Sequence, residues 1–341
     1  MPQSARLARL AAMALIAPFV VPTMATAQPT PAAQSAPPVV RPDVEWVTLG
    51  TMGGPMPSAT RAEPANLLVH GGKLDLVDAG DGAATAFLRA GGNWRALRSI
   101  WISHIHFDHI GGLFGVLGLR LQTRSQEPLT IYGPPGTKAI VDGLVAAMKP
   151  SARSGFGVPG EVPIDPAATV RVVELDDGST VMLGDTRVTA AANSHYSFPA
   201  GSDEARTFRS LSFRFDLPGK SIVYTGDTGP SEAVTRLAKN ADLLVTELID
   251  VEFTIANLRR RATDLSATDL ANMETHLRTH HITTADIGAM AAAAGVKSVV
   301  ITHIAGGGAN GGDASDRYVA EVKRSFAGEV TVASDLKRFA F

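Results

Sequence analysis

The run Ser103-His104-Ile105-His106-Phe107-Asp108-His109-Ile110-Gly111-Gly112 constrains this 341-residue chain more than any other segment. Three imidazoles and one carboxylate follow directly on the apolar triplet Ile100-Trp101-Ile102. Imidazole nitrogen and carboxylate oxygen are the donors that borderline divalent metals favour, at roughly 2.0–2.2 Å. A strand ending at Ser103 would present His104 and His106 on the same side, because strand side chains alternate. Asp108 and His109 would then sit on the following turn, with Gly111-Gly112 letting the chain swing away. Histidines also cluster on plain surfaces, but H-x-H-x-D-H spacing behind a buried strand argues for a metal site at a strand end.

The rest of the composition is that of a globular enzyme-sized protein, with 45% hydrophobic and 19% charged residues. A formal charge of −2 gives no polyelectrolyte bias towards nucleic acid. Arg6 and Arg9, the apolar stretch from Leu10 to Val21 and Ala25-Thr26-Ala27 read as a secretory signal peptide over 1–27. That apolar stretch is shorter than the ~20 residues a spanning helix needs, so a periplasmic or secreted protein, with no membrane contact after signal cleavage, is expected. Residues 28–43, rich in Pro, Ala and Gln, read as a flexible leader. The sequence contains no cysteine, so the remaining domain, 44–341, must be held by its core and its metals.

From Val44 onward short apolar runs alternate with helical ones. Strands are expected over 44–49, 66–70, 74–78, 99–103, 170–175, 181–183, 186–192, 211–217, 221–225, 242–246 and 298–302. Helices are expected over 81–90, 137–148, 231–239, 264–280 and 284–294, with a mobile loop over the Gly/Pro/Ser-rich stretch 150–168. Two sheets covered by helices, with donors at strand ends, fit this order best. Further donors end apolar runs as the first cluster does: His195, Asp227 and His303. His70, in a strand pattern, reads as structural. His276 and His280, four apart on a polar helix, read as exposed, and Tyr196, Phe198, Phe208 and Trp94 as packing residues.

In this order the chain resembles the metallo-β-lactamase fold superfamily, in its branch near ribonuclease Z and the zinc-dependent arylsulfatases. The resemblance rests on the H-x-H-x-D-H run, on Thr48-Leu49-Gly50-Thr51-Met52-Gly53-Gly54 with Arg61, and on Tyr132-Gly133-Pro134-Pro135-Gly136-Thr137. Thr225-Gly226-Asp227-Thr228, His281-Ile282-Thr283 and Ile301-Thr302-His303 complete it. It implies an α/β, four-layer αββα sandwich holding two Zn2+ ions. His104, His106 and His195 would hold one ion, Asp108, His109 and His303 the other, and Asp227 would bridge them. It also implies His281 as the catalytic histidine outside the metal shell, chosen over His280 by the match to His-x-Thr. Asp108 could steer a proton as well as bind metal, and Asp78 would serve structure more than the site.

The chemistry so implied is an exported dinuclear zinc hydrolase that opens small phosphodiesters or aryl sulfates with a hydroxide shared by the two ions. Lactone or β-lactam hydrolysis and a ribonuclease Z-like phosphodiesterase are the alternatives. The first of these is weakened because Asp227 stands where commoner β-lactamases carry cysteine. A small-molecule ester is the expected substrate and a homodimer the state the family suggests. No nucleic acid is expected, since 150–168 carries Arg153 alone as a cation and Arg259-Arg260-Arg261 reads as a solvated helix face.

Overall fold

The computed structural model describes residues 43–125, 127–307 and 313–340. The expected signal peptide lies outside them, as does the leader apart from Asp43. Short β-branched and apolar runs, several of them buried along all or nearly all of their length, build two sheets. The first takes β1 (Val44–Gly50), β2 (Ala65–His70), β3 (Lys73–Ala79), β4 (Leu97–Trp101), β5 (Leu129–Gly133) and β6 (Val170–Glu174). The second takes β7 (Thr180–Leu183), β8 (Thr186–Ala192), β9 (Leu211–Leu217), β10 (Lys220–Tyr224), β11 (Leu243–Ile249), β12 (Ser298–Ala305) and β13 (Glu329–Val332), while β14 (Lys337–Ala340) returns to pair with β1. The strand orders are β14-β1-β2-β3-β4-β5-β6 and β13-β12-β11-β10-β9-β8-β7.

The helices are α1 (Ala83–Arg89), α2 (Phe107–Ile110), α3 (Leu113–Gln122), α4 (Thr137–Ser154), α5 (Asp203–Thr207), α6 (Glu232–Leu237), α7 (Val251–Arg261), α8 (Ala267–Thr279), α9 (Thr284–Ala294) and α10 (Ser315–Val322). Alternation sorts the strand residues into layers. Val47, Leu76 and Ile100 pack outward with Phe87, Leu117 and Val145 of α1, α3 and α4. Val223, Leu244 and Ile301 pack outward with Val234, Ile287 and Val322 of α6, α9 and α10. Trp46, Val77, Trp101, Phe213, Phe215 and Tyr224 fill the space between the sheets. This is the expected αββα sandwich. Among the described residues no helix is long and apolar enough to cross a membrane.

The loop expected over 150–168 is a correction. α4 continues past Pro150 to Ser154, and only the segment from Gly155 to Asp165 is irregular before a short 3-10 turn at Pro166–Thr169. A proline inside a helix forfeits one backbone hydrogen bond, but Val141, Val145 and Met148 hold the preceding turns against the core. Short α2 and α3, and α7 beyond β11, exceed the sequence reading, whereas α8 falls within the helix expected over 264–280.

Trp101 anchors the sandwich one residue before the metal-binding run begins to turn. Its ring stacks on Tyr132 at 4.2 Å and meets Phe213 and Phe215 edge-on at 5.5 and 5.7 Å. Its indole N–H donates to Ser99 Oγ at 2.8 Å, so no polar group is stranded. Trp101→Ala is expected to cost about 3–5 kcal/mol, read as a fall in the urea midpoint with an unchanged slope.

Candidate metal centre

All the strand-end donors converge on one end of the sandwich. His104 and His106 leave β4, His195 follows β8 and Asp227 follows β10. Gly226 makes the last turn possible: its φ is +58°, and a Cβ there would lie 2.8 Å from Ser103 Cβ. His303 departs from the expectation of a donor beyond its strand, because it lies inside β12. There its φ is +42°, and the register against β11 shifts between the pairs Ile301–Thr246 and Ile304–Leu248. Thr302 and His303 thus oppose Glu247 alone, a bulge that re-aims the imidazole into the site. Gly54 approaches from the opposite loop, so closely that a Cβ would sit 2.9 Å from Asp108 Oδ2.

Two clusters result. His106 Nδ1 lies 3.1 Å from His104 Nε2 and 3.0 Å from His195 Nε2. His303 Nε2 lies 3.5 Å from Asp108 Oδ2 and 3.2 Å from Asp227 Oδ2, and His109 Nε2 lies 3.6 and 3.3 Å from the same two carboxylates. Asp227 stands between the clusters, with Oδ2 3.9 Å from His104 Nε2 and 4.0 Å from His195 Nε2. A tetrahedron of ~2.0–2.1 Å bonds has edges of about 3.3–3.4 Å, so these separations suit donors around a divalent ion. His109 Nε2, Asp227 Oδ1 and His303 Nε2 are buried without a hydrogen-bond partner, an arrangement too costly to keep unless something else satisfies them. The residues present fit a metal centre.

The outward-facing nitrogens are fixed. His109 Nδ1 donates to Asp78 Oδ2 at 2.8 Å, and His195 Nδ1 donates to the His280 carbonyl at 3.0 Å. With Nδ1 of each ring so engaged, Nε2 is the nitrogen turned inward towards the site. Asp78 also accepts from Ser103 N (2.7 Å), Ser103 Oγ (2.8 Å) and Tyr224 Oη (2.7 Å). Asp78 therefore acts on the site through His109, and is more than the structural residue expected.

Burial pushes the imidazoles of His104 and His195 well below their ordinary pKa, so both are neutral donors. Burial acts the same way on His109 and His303, but Asp227, with Asp108 beside it, overrides it and raises both. Without a cation these carboxylates hold protons on the imidazoles that face them. Metal binding must displace those protons, so affinity falls as pH falls.

His281, just before α9, is buried and held by the capping box of Thr283 and Asp286 and by Ile249 N–H donating to the Ile282 carbonyl at 2.9 Å. Its Nδ1 donates to Glu247 Oε2 at 2.7 Å, and Glu247 Oε1 accepts from Thr228 N at 2.6 Å. Burial lowers the His281 pKa, yet Glu247 outweighs it and the net shift is upward. Sequence reading missed Glu247; the only signal was a carboxylate set into the apolar run Leu243-Leu244-Val245. His276 is a second correction. It is half-buried, its ring 4.9 Å from that of His195, and burial with neighbouring imidazoles lowers its pKa to about 3. Met273, His276 and Leu277 share one face of α8 and roof a cavity of about 660 Å3 over Asp108, Asp227, His281 and His303. His280, as expected, is no rival to His281: its Nδ1 contacts His276 and its carbonyl serves His195.

The family profile described as "Beta-lactamase superfamily domain" matches residues 76–304. The chain belongs to this superfamily. Curated relatives include a ribonuclease Z of Mycobacterium avium, 29% identical over 298 residues, which cover 86% of this chain and 97% of that protein. A ribonuclease Z of Methanosarcina acetivorans is 29% identical over 281 residues, 75% of this chain and 86% of that protein. Among solved structures, the metallo-beta-lactamase fold protein YhfI from Bacillus subtilis superposes with a TM-score of 0.60 at 20% identity, over 87% of this chain and 98% of that one. The short form of human tRNase Z superposes with a TM-score of 0.58 at 24% identity, again over 87% and 98%. At such identities the structures show the shared fold. The ribonuclease Z relatives overturn the expectation that nucleic acid has no part: proteins matched along nearly their whole length are named for cutting RNA. Net charge was a poor guide because a whole-chain sum does not say where the cations sit.

Asp78→Asn is expected to weaken divalent-metal binding about 10–100-fold, the usual cost of losing the group that orients a ligating imidazole. Competition against a chromophoric chelator reads this directly; an unchanged affinity would mean that His109 is not a ligand.

Proposed function

We propose that this hydrolase cleaves phosphodiester bonds of RNA in the manner of a ribonuclease Z. Two Zn2+ ions would be held by His104, His106 and His195 and by Asp108, His109 and His303, with Asp227 between them. The observation that carries the reading is His281, held by buried Glu247 and lining the same cavity as His106, Asp108, Asp227 and His303. Bound zinc would supply Lewis acidity and neutralise charge on the phosphoryl group. His281 holds a proton on Nδ1 against Glu247 and, with its raised pKa, can carry a second on Nε2 for the departing oxygen. Thr228 N–H fixes Glu247, so the imidazole cannot swing away. Asp108, whose carboxyl is kept below the ordinary range by His109 and His303 although burial opposes this, stays ionised. The ribonuclease Z relatives support RNA as the substrate class; nothing comparable supports aryl sulfates.

Zinc-loaded protein should hydrolyse bis(p-nitrophenyl) phosphate in preference to p-nitrophenyl sulfate, and should cut a transfer RNA precursor bearing a 3′ trailer. His281→Ala should lower turnover about 10²–10⁴-fold with metal content retained. Sulfate preference, or no diester cleavage by zinc-replete protein, would contradict the reading.

The pH profile tests Glu247 separately. Because Glu247 raises the His281 pKa, the protonated imidazole persists to higher pH, and the rate falls as pH rises through that raised value. Glu247→Gln should move this descending limb of kcat to lower pH; an unmoved limb would show that another group supplies the proton.

A further inference from the structure

Beside the metal centre lies a second cavity, of about 420 Å3, that the hydrolytic chemistry leaves unused. Tyr196, Phe198 and Phe208 line it, and these are the rings that the sequence assigns to packing. Trp94 does pack, stacked on Phe87 at 4.4 Å. The other three instead form a row leading outward from the centre. Tyr196 lies 5.3 Å from the His106 ring, Phe198 5.5 Å from Tyr196, and Phe208 5.9 Å from Phe198. Phe198 and Phe208 are 39% and 37% exposed, so among the described residues both rings keep apolar surface open to the cleft.

The cleft is rigid. Asn193 Nδ2 donates to the Thr225 carbonyl at 3.1 Å and its Oδ1 accepts from His195 N at 3.1 Å, tying the floor to the metal-site loop. Phe208 is held at the end of α5, where its N–H donates to the Glu204 carbonyl at 2.8 Å. The charges do not select an anion, because Asp176 and Asp177 face the single cation Arg209. Arg209 Nε donates to Asp176 Oδ1 at 2.9 Å, and Asp177 Oδ1 accepts from Ala192 N at 2.9 Å, so both carboxylates are engaged.

We infer that this cleft is a subsite for one unit of the substrate beyond the scissile bond, taking its planar ring on Phe198 and Phe208. Aromatic faces accept any base, so the subsite discriminates by the presence of a ring and not by sequence. The identity of that ring as a nucleobase rests on the proposed function; the stacking geometry does not.

The test compares a fluorescent phosphorothioate tetraadenylate with an abasic phosphorothioate of equal length and charge, by anisotropy at fixed salt on the zinc-loaded full chain. The base-bearing strand should bind at least about tenfold more tightly. Phe198→Ala should reduce that ratio about tenfold, Phe208→Ala should reduce it independently, and Phe198→Trp should preserve it. A wild-type ratio near one, or variants that weaken both ligands alike, would overturn the subsite. Cleavage of bis(p-nitrophenyl) phosphate, measured alongside, separates the two claims. Diester cleavage with a ratio near one defeats the subsite alone. A base preference lost in Phe198→Ala, without diester cleavage, supports the subsite and defeats the hydrolytic reading.

Discussion

The buried carboxylate of Asp227 is the constraint on which the rest of the site depends. Removing an ionised carboxylate from water costs several kcal/mol unless positive charge meets it, and Asp227 is essentially inaccessible. Imidazoles from three separate chain segments surround it, His104 and His109 of one run with His195 and His303, their nitrogens 3.2–4.0 Å from its oxygens. Each segment is a strand end or a bulge, so the two sheets must be packed together before the compensation exists. Folding and site assembly are in this sense one event.

Around this centre a second set of groups fixes orientation. Asp78 holds His109, the His280 carbonyl holds His195, and Glu247 holds His281. Asp78 is itself tied to Ser103 and Tyr224, which links the centre to the aromatic layer between the sheets. A metal-binding end is thereby braced against a rigid core, the condition under which donor geometry is set before any ion arrives.

The seven residues that converge at the candidate metal centre were legible in the sequence because they follow apolar runs, and strand periodicity states where such a run ends. The first four also fall within six residues, which made His104 to His109 the plainest signal in the chain. His303 was legible as a residue but not as a bulge, since its positive φ follows from pairing against Glu247. Glu247 and His276 were not legible, for a different reason. Their roles come from packing between segments 34 and 81 or more residues apart in the chain, His281 on Glu247 and His195 beside His276. Nothing local in a strand glutamate or a helical histidine announces that. Helix α4 outran its expected end because burial of Met148 and its neighbours outweighs the loss at Pro150, a tertiary effect invisible to a punctuation rule.

The measurement that bears most directly on this account is anomalous X-ray scattering at the zinc edge from crystals of the zinc-loaded protein. Two peaks are predicted about 3.5–4 Å apart, one among His104, His106 and His195, the other among Asp108, His109 and His303, with Asp227 reaching both. A single peak, or peaks away from Asp227, would contradict it.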